Sequence, residues 1–325
     1  MFSDVVVPGN LPILAATALS LGAWIWAANW LKSPRGPAEP PRRLFEPILR
    51  PRRVWTRETV ITALLGVFVI PLLAAIPLVQ RTEDAEMQAR LILSLSMMQL
   101  AVATAALVLF GIWRQTGMSA WSRDVEFLSD EALRKAARSL DDSSMEEAVE
   151  QLCAAAEQHR LAPPTISSDV HWGVWAGLAG LAPGYAINAL VYIAGWKSDD
   201  ATHPIFEAIL NGGEARFWIL LYVAFTAIVL APLLEEIQYR AVIQGWLTGR
   251  FPTKRAILIT AVVFAAIHWA PGRPDALPLL PLAFLLGYLY AARGSLAANV
   301  IAHTTFNAVN IAIAVAELLI SDPAA

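Results

Sequence analysis

The stretch "FWILLYVAFTAIVLAPLLEEIQYRAV", Phe217–Val242, drives an almost unbroken apolar run straight into two glutamates and an arginine. About 20 consecutive apolar residues suffice for a helix to cross the ~30 Å hydrocarbon core of a bilayer, so the run predicts a membrane span. Glu235, Glu236 and Arg240 then fall within or against that span. There each ionisable side chain costs roughly 2.5–3.5 kcal/mol on insertion scales, and such residues mark function by default.

Similar runs recur along the chain. Spans are expected at 11–31, 59–79, 91–113, 171–196, 217–246, 256–270, a short 279–292 and 296–320. The fold class is therefore all-α, a polytopic membrane helical bundle of about eight transmembrane helices with a small cytoplasmic helical insertion. Composition agrees: of 325 residues, 57% are hydrophobic and 16% charged, against about 25% charged in ordinary soluble domains. The net charge is −3 and the basic residues form no stripe interleaved with aromatics, which argues against nucleic acid as a partner. One cysteine, Cys153, excludes an internal disulfide, and no zinc-finger spacing is present.

Basic residues orient the bundle, because cytoplasmic loops hold the excess of Lys and Arg. With eight alternating spans, 19 of the 24 Lys and Arg fall on one side, in the loops 32–58, 114–169, 238–255 and at Arg293. Both termini are then expected outside, and the first run reads as an uncleaved anchor. The division is 1–113 for the first three helices, 114–170 for the insertion and 171–325 for the remaining helices. Inside the insertion, "SMEE" (Ser144–Glu147) has capping-box spacing and Pro163 and Pro164 close the segment, which predicts a cytoplasmic helical hairpin lying on headgroups or loops. The Pro-rich basic loop 32–58 suits an extended segment attracted to anionic membrane lipids.

Of five histidines, His159, His171 and His203 sit in or beside loops, whereas His268 and His303 lie deep in apolar runs. Residues four apart share a helix face, so Glu236 and Arg240 pair in the favourable acid-first order. Glu235 then stands about 100° around the helix, free to act. Asn299, His303, Asn307 and Asn310 form a polar stripe on the last helix, which should face the bundle interior. At about 1.5 Å rise per residue, Glu235, His268, His303 and Asn307 lie at comparable depths, roughly 12–20 Å from the cytoplasmic ends of their helices. They are expected to share a cavity open to the cytosol.

A carboxylate and an imidazole can hold and deprotonate a water, and a second imidazole with a carboxamide can donate to a developing oxyanion. That set performs amide hydrolysis. The same Glu235, His268 and His303 are the possible ligands for a Zn2+, although "HExxH" is absent. Read as a proton or cation pathway, the residues would serve a transporter, which the missing internal repeat disfavours.

Three motifs in order carry a family resemblance: "EEIQYR" (Glu235–Arg240), "FAAIH" (Phe264–His268) and "HTTFN" (His303–Asn307). With them the sequence resembles the CPBP (Abi) family of intramembrane proteases, which includes the type II CaaX prenyl endopeptidases. The resemblance covers roughly the last 110 residues. It implies that Glu235 and His268 activate the water, that His303 and Asn307 form the oxyanion site, and that Glu236 and Arg240 support them. It also implies a membrane-associated or prenylated peptide substrate. A glutamate-activated water is the favoured mechanism, with zinc as the other. The alternative is a non-proteolytic scaffold or bacteriocin-immunity-like protein that binds a partner in the same cavity.

Overall fold

Helix α1 (Leu11–Lys32) is apolar on every side, ends on a lysine that complements its C-terminal dipole, and carries exposed Leu14, Leu19, Leu21 and Ile25 as a lipid-facing helix does. The computed structural model describes residues 11–32, 52–55, 57, 61, 122–125, 166–196, 216–268 and 276–321. Apart from position 61, the spans expected at 59–79 and 91–113 lie outside the described residues, as do most of the insertion and both chain ends. Three described helices are long and apolar enough to cross a membrane, Leu11–Lys32, Ile166–Ile193 and Leu296–Ala316, and Leu277–Arg293 is a shorter apolar one.

The described residues are almost all helical, as expected, with one short ladder beside the helices. Strands β1 (Arg52–Trp55) and β2 (Ser122–Val125) pair antiparallel, with Arg52 opposite Val125 and Trp55 opposite Ser122. β2 falls inside the insertion expected to be helical. Its pairing partner is some seventy residues away in the basic loop, a relationship with no local signature. Helix α2 (Ile166–Ile193) begins five residues before the expected His171.

α2 runs antiparallel to α1, and the join turns on a proline. Pro183 lacks an N–H, so the carbonyl of Ala179, four residues earlier, loses its helical donor. Ser20 Oγ (3.3 Å) and Trp24 Nε1 (2.9 Å) of α1 both donate to that carbonyl, and Ala182 N–H donates to Ser20 Oγ at 3.0 Å. Neighbouring side chains thus satisfy the freed backbone, which apolar surroundings require. Trp24, Trp26, Trp30, Trp172 and Trp175 extend the contact, mostly edge to face.

The opposite face of α2 is a row of small residues. A Cβ at Gly173 would stand 2.7 Å from Ala298 O, and one at Gly177 would collide with Ala302 O and Thr305 Cβ of helix α8 (Leu296–Ser321). Small residues four apart let two helices approach closely, and in lipid this packing replaces a hydrophobic driving force.

The chain from 216 to 248 is one continuous helical rod with changes of pitch. It passes through α3 (Arg216–Phe225), a π turn Thr226–Leu230, α4 (Ala231–Glu235), a π segment Glu236–Gln244 and α5 (Gly245–Thr248), with right-handed helical backbone at every junction. β1 lies beside its α5 end. Helix α6 (Thr253–Ile267) follows and stops on His268, where 256–270 was expected to continue; at about 1.5 Å per residue it is roughly 22 Å long.

Helix α7 (Leu280–Arg293) is entered by a 3₁₀ turn at Leu277–Leu279 and ends on Gly294 at φ 61°. Glycine adopts that left-handed cap without a Cβ penalty, and Ser295 at once caps α8 through Ala298 N–H, 3.2 Å from its hydroxyl. The turn is locked to α2: Arg293 Nη2 lies 3.1 Å from Asp169 Oδ1, and Ser295 Oγ donates to Asp169 Oδ2 at 2.6 Å. Two apolar clusters result. One gathers Trp172, Trp175, Leu181, Leu282, Leu286, Leu289, Ala302 and Phe306 from α2, α7 and α8, and the other gathers Tyr239, Ile243, Leu247, Ala261 and Phe264. Glu236 and His303 lie among the elements that carry both.

Candidate active site

Glu235 and Glu236 are neighbours with opposite surroundings. Glu236 has no exposed surface, and both its oxygens are engaged. Arg240 Nε donates to Oε2 at 3.0 Å, Asn299 Nδ2 donates to Oε2 at 3.1 Å, and His303 Nδ1 stands 3.0 Å from Oε1. Asn299 also donates to the Leu286 carbonyl at 2.8 Å, tying α7 into the same knot. A buried charge persists in apolar surroundings only when paired and hydrogen-bonded, and Glu236 meets that condition. Glu235 is the contrast: its side chain is 22% exposed, and among the described residues its one ion-pair contact is Oε2 to His303 Nε2 at 3.8 Å.

These contacts settle the hydrogen-bonding sense of His303. Nδ1 faces a carboxylate oxygen already charged by Arg240, so the proton between them sits on Nδ1. Nε2 is the nitrogen turned to Glu235.

Phe264 of α6 is the ring around which the rest assembles. Its centroid lies 5.1 Å from Tyr239, 4.9 Å from His268 and 5.8 Å from His303, and the Arg240 guanidinium carbon is 5.3 Å from it. An arginine that gives Nε to a carboxylate and its planar face to an aromatic ring gains both ion pairing and cation–π attraction. His268 caps α6, with Nδ1 2.7 Å from the Phe264 carbonyl. A carbonyl only accepts, so His268 carries its proton on Nδ1 and leaves Nε2 as the basic nitrogen. It is half-buried. Among the described residues it makes no ion pair with Glu235 or Glu236, and its ring and that of His303 both pack on Phe264.

Asn307 lies one turn beyond His303 on α8 and donates Nδ2 to the Ala227 carbonyl at 2.7 Å. One of its two amide hydrogens is thereby spent and one remains. Asn310 closes the stripe, accepting from Tyr185 Oη at 3.1 Å. The asparagine stripe faces other helices throughout. Three participants have no place in the motif reading of site roles: Asn299 as a donor to Glu236, the Phe264 ring, and Thr304, whose hydroxyl donates to the Ile228 carbonyl at 2.8 Å. The stripe spacing pointed to Asn299; a threonine in an apolar helix carried no signal.

Zinc finds no fit in this donor set. Among the described residues no three His, Cys, Asp or Glu side chains converge as ligands. Glu236 is committed to Arg240, Asn299 and His303.

Residues 217–309, which carry Glu235, Glu236, Arg240, His268, His303 and Asn307, match the family model of type II CAAX prenyl endopeptidase, Rce1-like. No curated protein and no solved structure matches the chain. Together with the three helices long and apolar enough to cross a membrane, the match supports an integral membrane protein whose residues 217–309 are similar to the Rce1-like type II CAAX prenyl endopeptidase family.

Proposed function

We propose that this protein is an intramembrane endopeptidase that hydrolyses a peptide bond in a membrane-associated, prenylated CAAX-type substrate, using Glu235 to activate water. The observation that carries this reading is the division of labour between adjacent carboxylates. Glu236 is spent on Arg240, Asn299 and His303, whereas Glu235 is partly exposed and, among the described residues, makes its one ion-pair contact at 3.8 Å.

Glu235 takes a proton from a water that His268 Nε2 helps to hold as acceptor. The hydroxide adds to the peptide carbonyl carbon, and the oxyanion is met by the second amide hydrogen of Asn307 and by Nε2–H of His303. The latter requires an imidazolium. When the tetrahedral adduct collapses, the C–N bond breaks and the proton on Glu235 passes to the leaving nitrogen. Glu236 and Arg240 touch no reacting atom; they hold the His303 ring.

A basic-side opening, expected from the Lys and Arg distribution, would let the peptide enter from the cytosol while its lipid stays in the bilayer. The test is cleavage of a farnesylated CAAX peptide by the purified protein in liposomes. Full activity in the Glu235→Gln variant would overturn the mechanism, and a cellular phenotype that survives Glu235→Gln would indicate a partner-binding scaffold instead.

A further inference from the structure

Thr304 and Thr305 are adjacent on α8 and behave differently. Thr305 Oγ1 donates to its own helix at Ile301 O (2.8 Å), as Thr17 and Thr260 do in theirs. Thr304 instead donates across to the Ile228 carbonyl at 2.8 Å. The reason lies in Pro232. Without an N–H, proline serves neither of the carbonyls it could reach: Ile228, four residues back at α spacing, or Ala227, five back at π spacing. The N–H of Ala231 is directed to Thr226 O, so it serves neither. α8 supplies both missing donors, Thr304 to Ile228 and Asn307 to Ala227.

The two carbonyls lie seven and eight residues before Glu235 on the same rod, and the donors lie within one turn of His303. Partners descend along α8 as residues ascend along the rod: 227 with 307, 228 with 304, 236 with 303 and 299. The clamp and the Glu235–His303 pair are therefore two contacts between the same two antiparallel helices.

We infer that Thr304 is a positioning residue: with Asn307 it fixes the rotation of the Pro232 break against α8, and so sets the approach of Glu235 to His303. The inference rests on the endopeptidase reading for its kinetic consequence but not for its structural one. Because the reacting groups are carried on separate helices, an error near 1 Å in their registration costs up to about a hundredfold in rate.

The experiment compares Thr304→Val, Thr304→Ser and Thr305→Val in the full chain. Cleavage of a farnesylated CAAX peptide in liposomes is one readout, and the imidazole ¹⁵N spectrum of histidine-labelled protein in micelles is the other. His303→Asn identifies the His303 resonances among those of the five histidines. Thr304→Val is expected to lower kcat by about tenfold or more with KM within about twofold, and to shift the His303 signals. Thr304→Ser restores both, and Thr305→Val changes neither. The inference is overturned if Thr304→Val leaves the His303 signals in place, if serine fails to rescue them, or if Thr305→Val shifts them equally. If the wild-type protein cleaves nothing while Thr304→Val still moves His303 and serine restores it, the clamp stands and the endopeptidase reading falls.

Discussion

His303 binds Glu236 through Nδ1 at 3.0 Å while its Nε2 faces Glu235 at 3.8 Å, so one imidazole lies between two consecutive carboxylates of unequal freedom. The unequal pair leads to opposite expectations for two chemically identical substitutions. Glu235→Gln should lower cleavage by at least about 10²-fold, the lower end of general acid–base contributions, with little change in thermal stability. Glu236→Gln should instead lower stability by about 3–5 kcal/mol, because the fully buried Arg240 loses its partner. Thermal unfolding in detergent, run beside the peptide-cleavage assay, separates the two.

Helix contact in place of side-chain chemistry governs the glycine row of α2. Gly177→Val should destabilise the protein by at least about 1–3 kcal/mol, the usual cost of overpacking, since its Cβ would meet backbone as well as side chain of α8. Gly22→Ala on α1, where a Cβ meets nothing within 4 Å, should leave the melting temperature unchanged or slightly raised. Equal effects from the two substitutions would refute the close-approach account.

At the Pro183 break, the Ala179 carbonyl accepts from both Ser20 and Trp24. Ser20→Ala should cost about 0.6 kcal/mol, typical of a single interhelical hydrogen bond in a membrane protein. Combined with Trp24→Phe the loss should exceed the sum of the two singles, because only the double variant leaves the carbonyl without a side-chain donor. A double-mutant cycle measured by unfolding reads this directly.

Chelation tests the donor arrangement. Since Glu235, His268 and His303 do not converge as a ligand set among the described residues, cleavage by the purified enzyme should persist after prolonged dialysis against a strong chelator. Loss of activity that is restored by zinc alone would show that the three groups rearrange to bind it.

Local features carried well from sequence to structure. Glu236 and Arg240 meet because four residues return a helix to the same face, and the asparagine stripe turns inward because polar groups avoid lipid. Long-range features did not. The donors that α8 brings to the Pro232 break and the β1–β2 ladder each depend on a partner distant in the chain.

The sequence by itself determined that the chain is rich in apolar helices long enough for a membrane and that Glu235, Glu236, Arg240, His268 and His303 stand in or against such runs, because apolar run length and helical periodicity are local quantities. Helical spacing already pairs Glu236 with Arg240 and leaves Glu235 on another face. Only the tertiary structure decided that Asn299 and His303 from α8 would also close on Glu236 and deepen the difference between the two carboxylates. Pro232 was legible as a break in a helix. That its two stranded carbonyls would be answered by Thr304 and Asn307 required the packed helices, since backbone groups buried away from water take whichever donor the fold brings within reach.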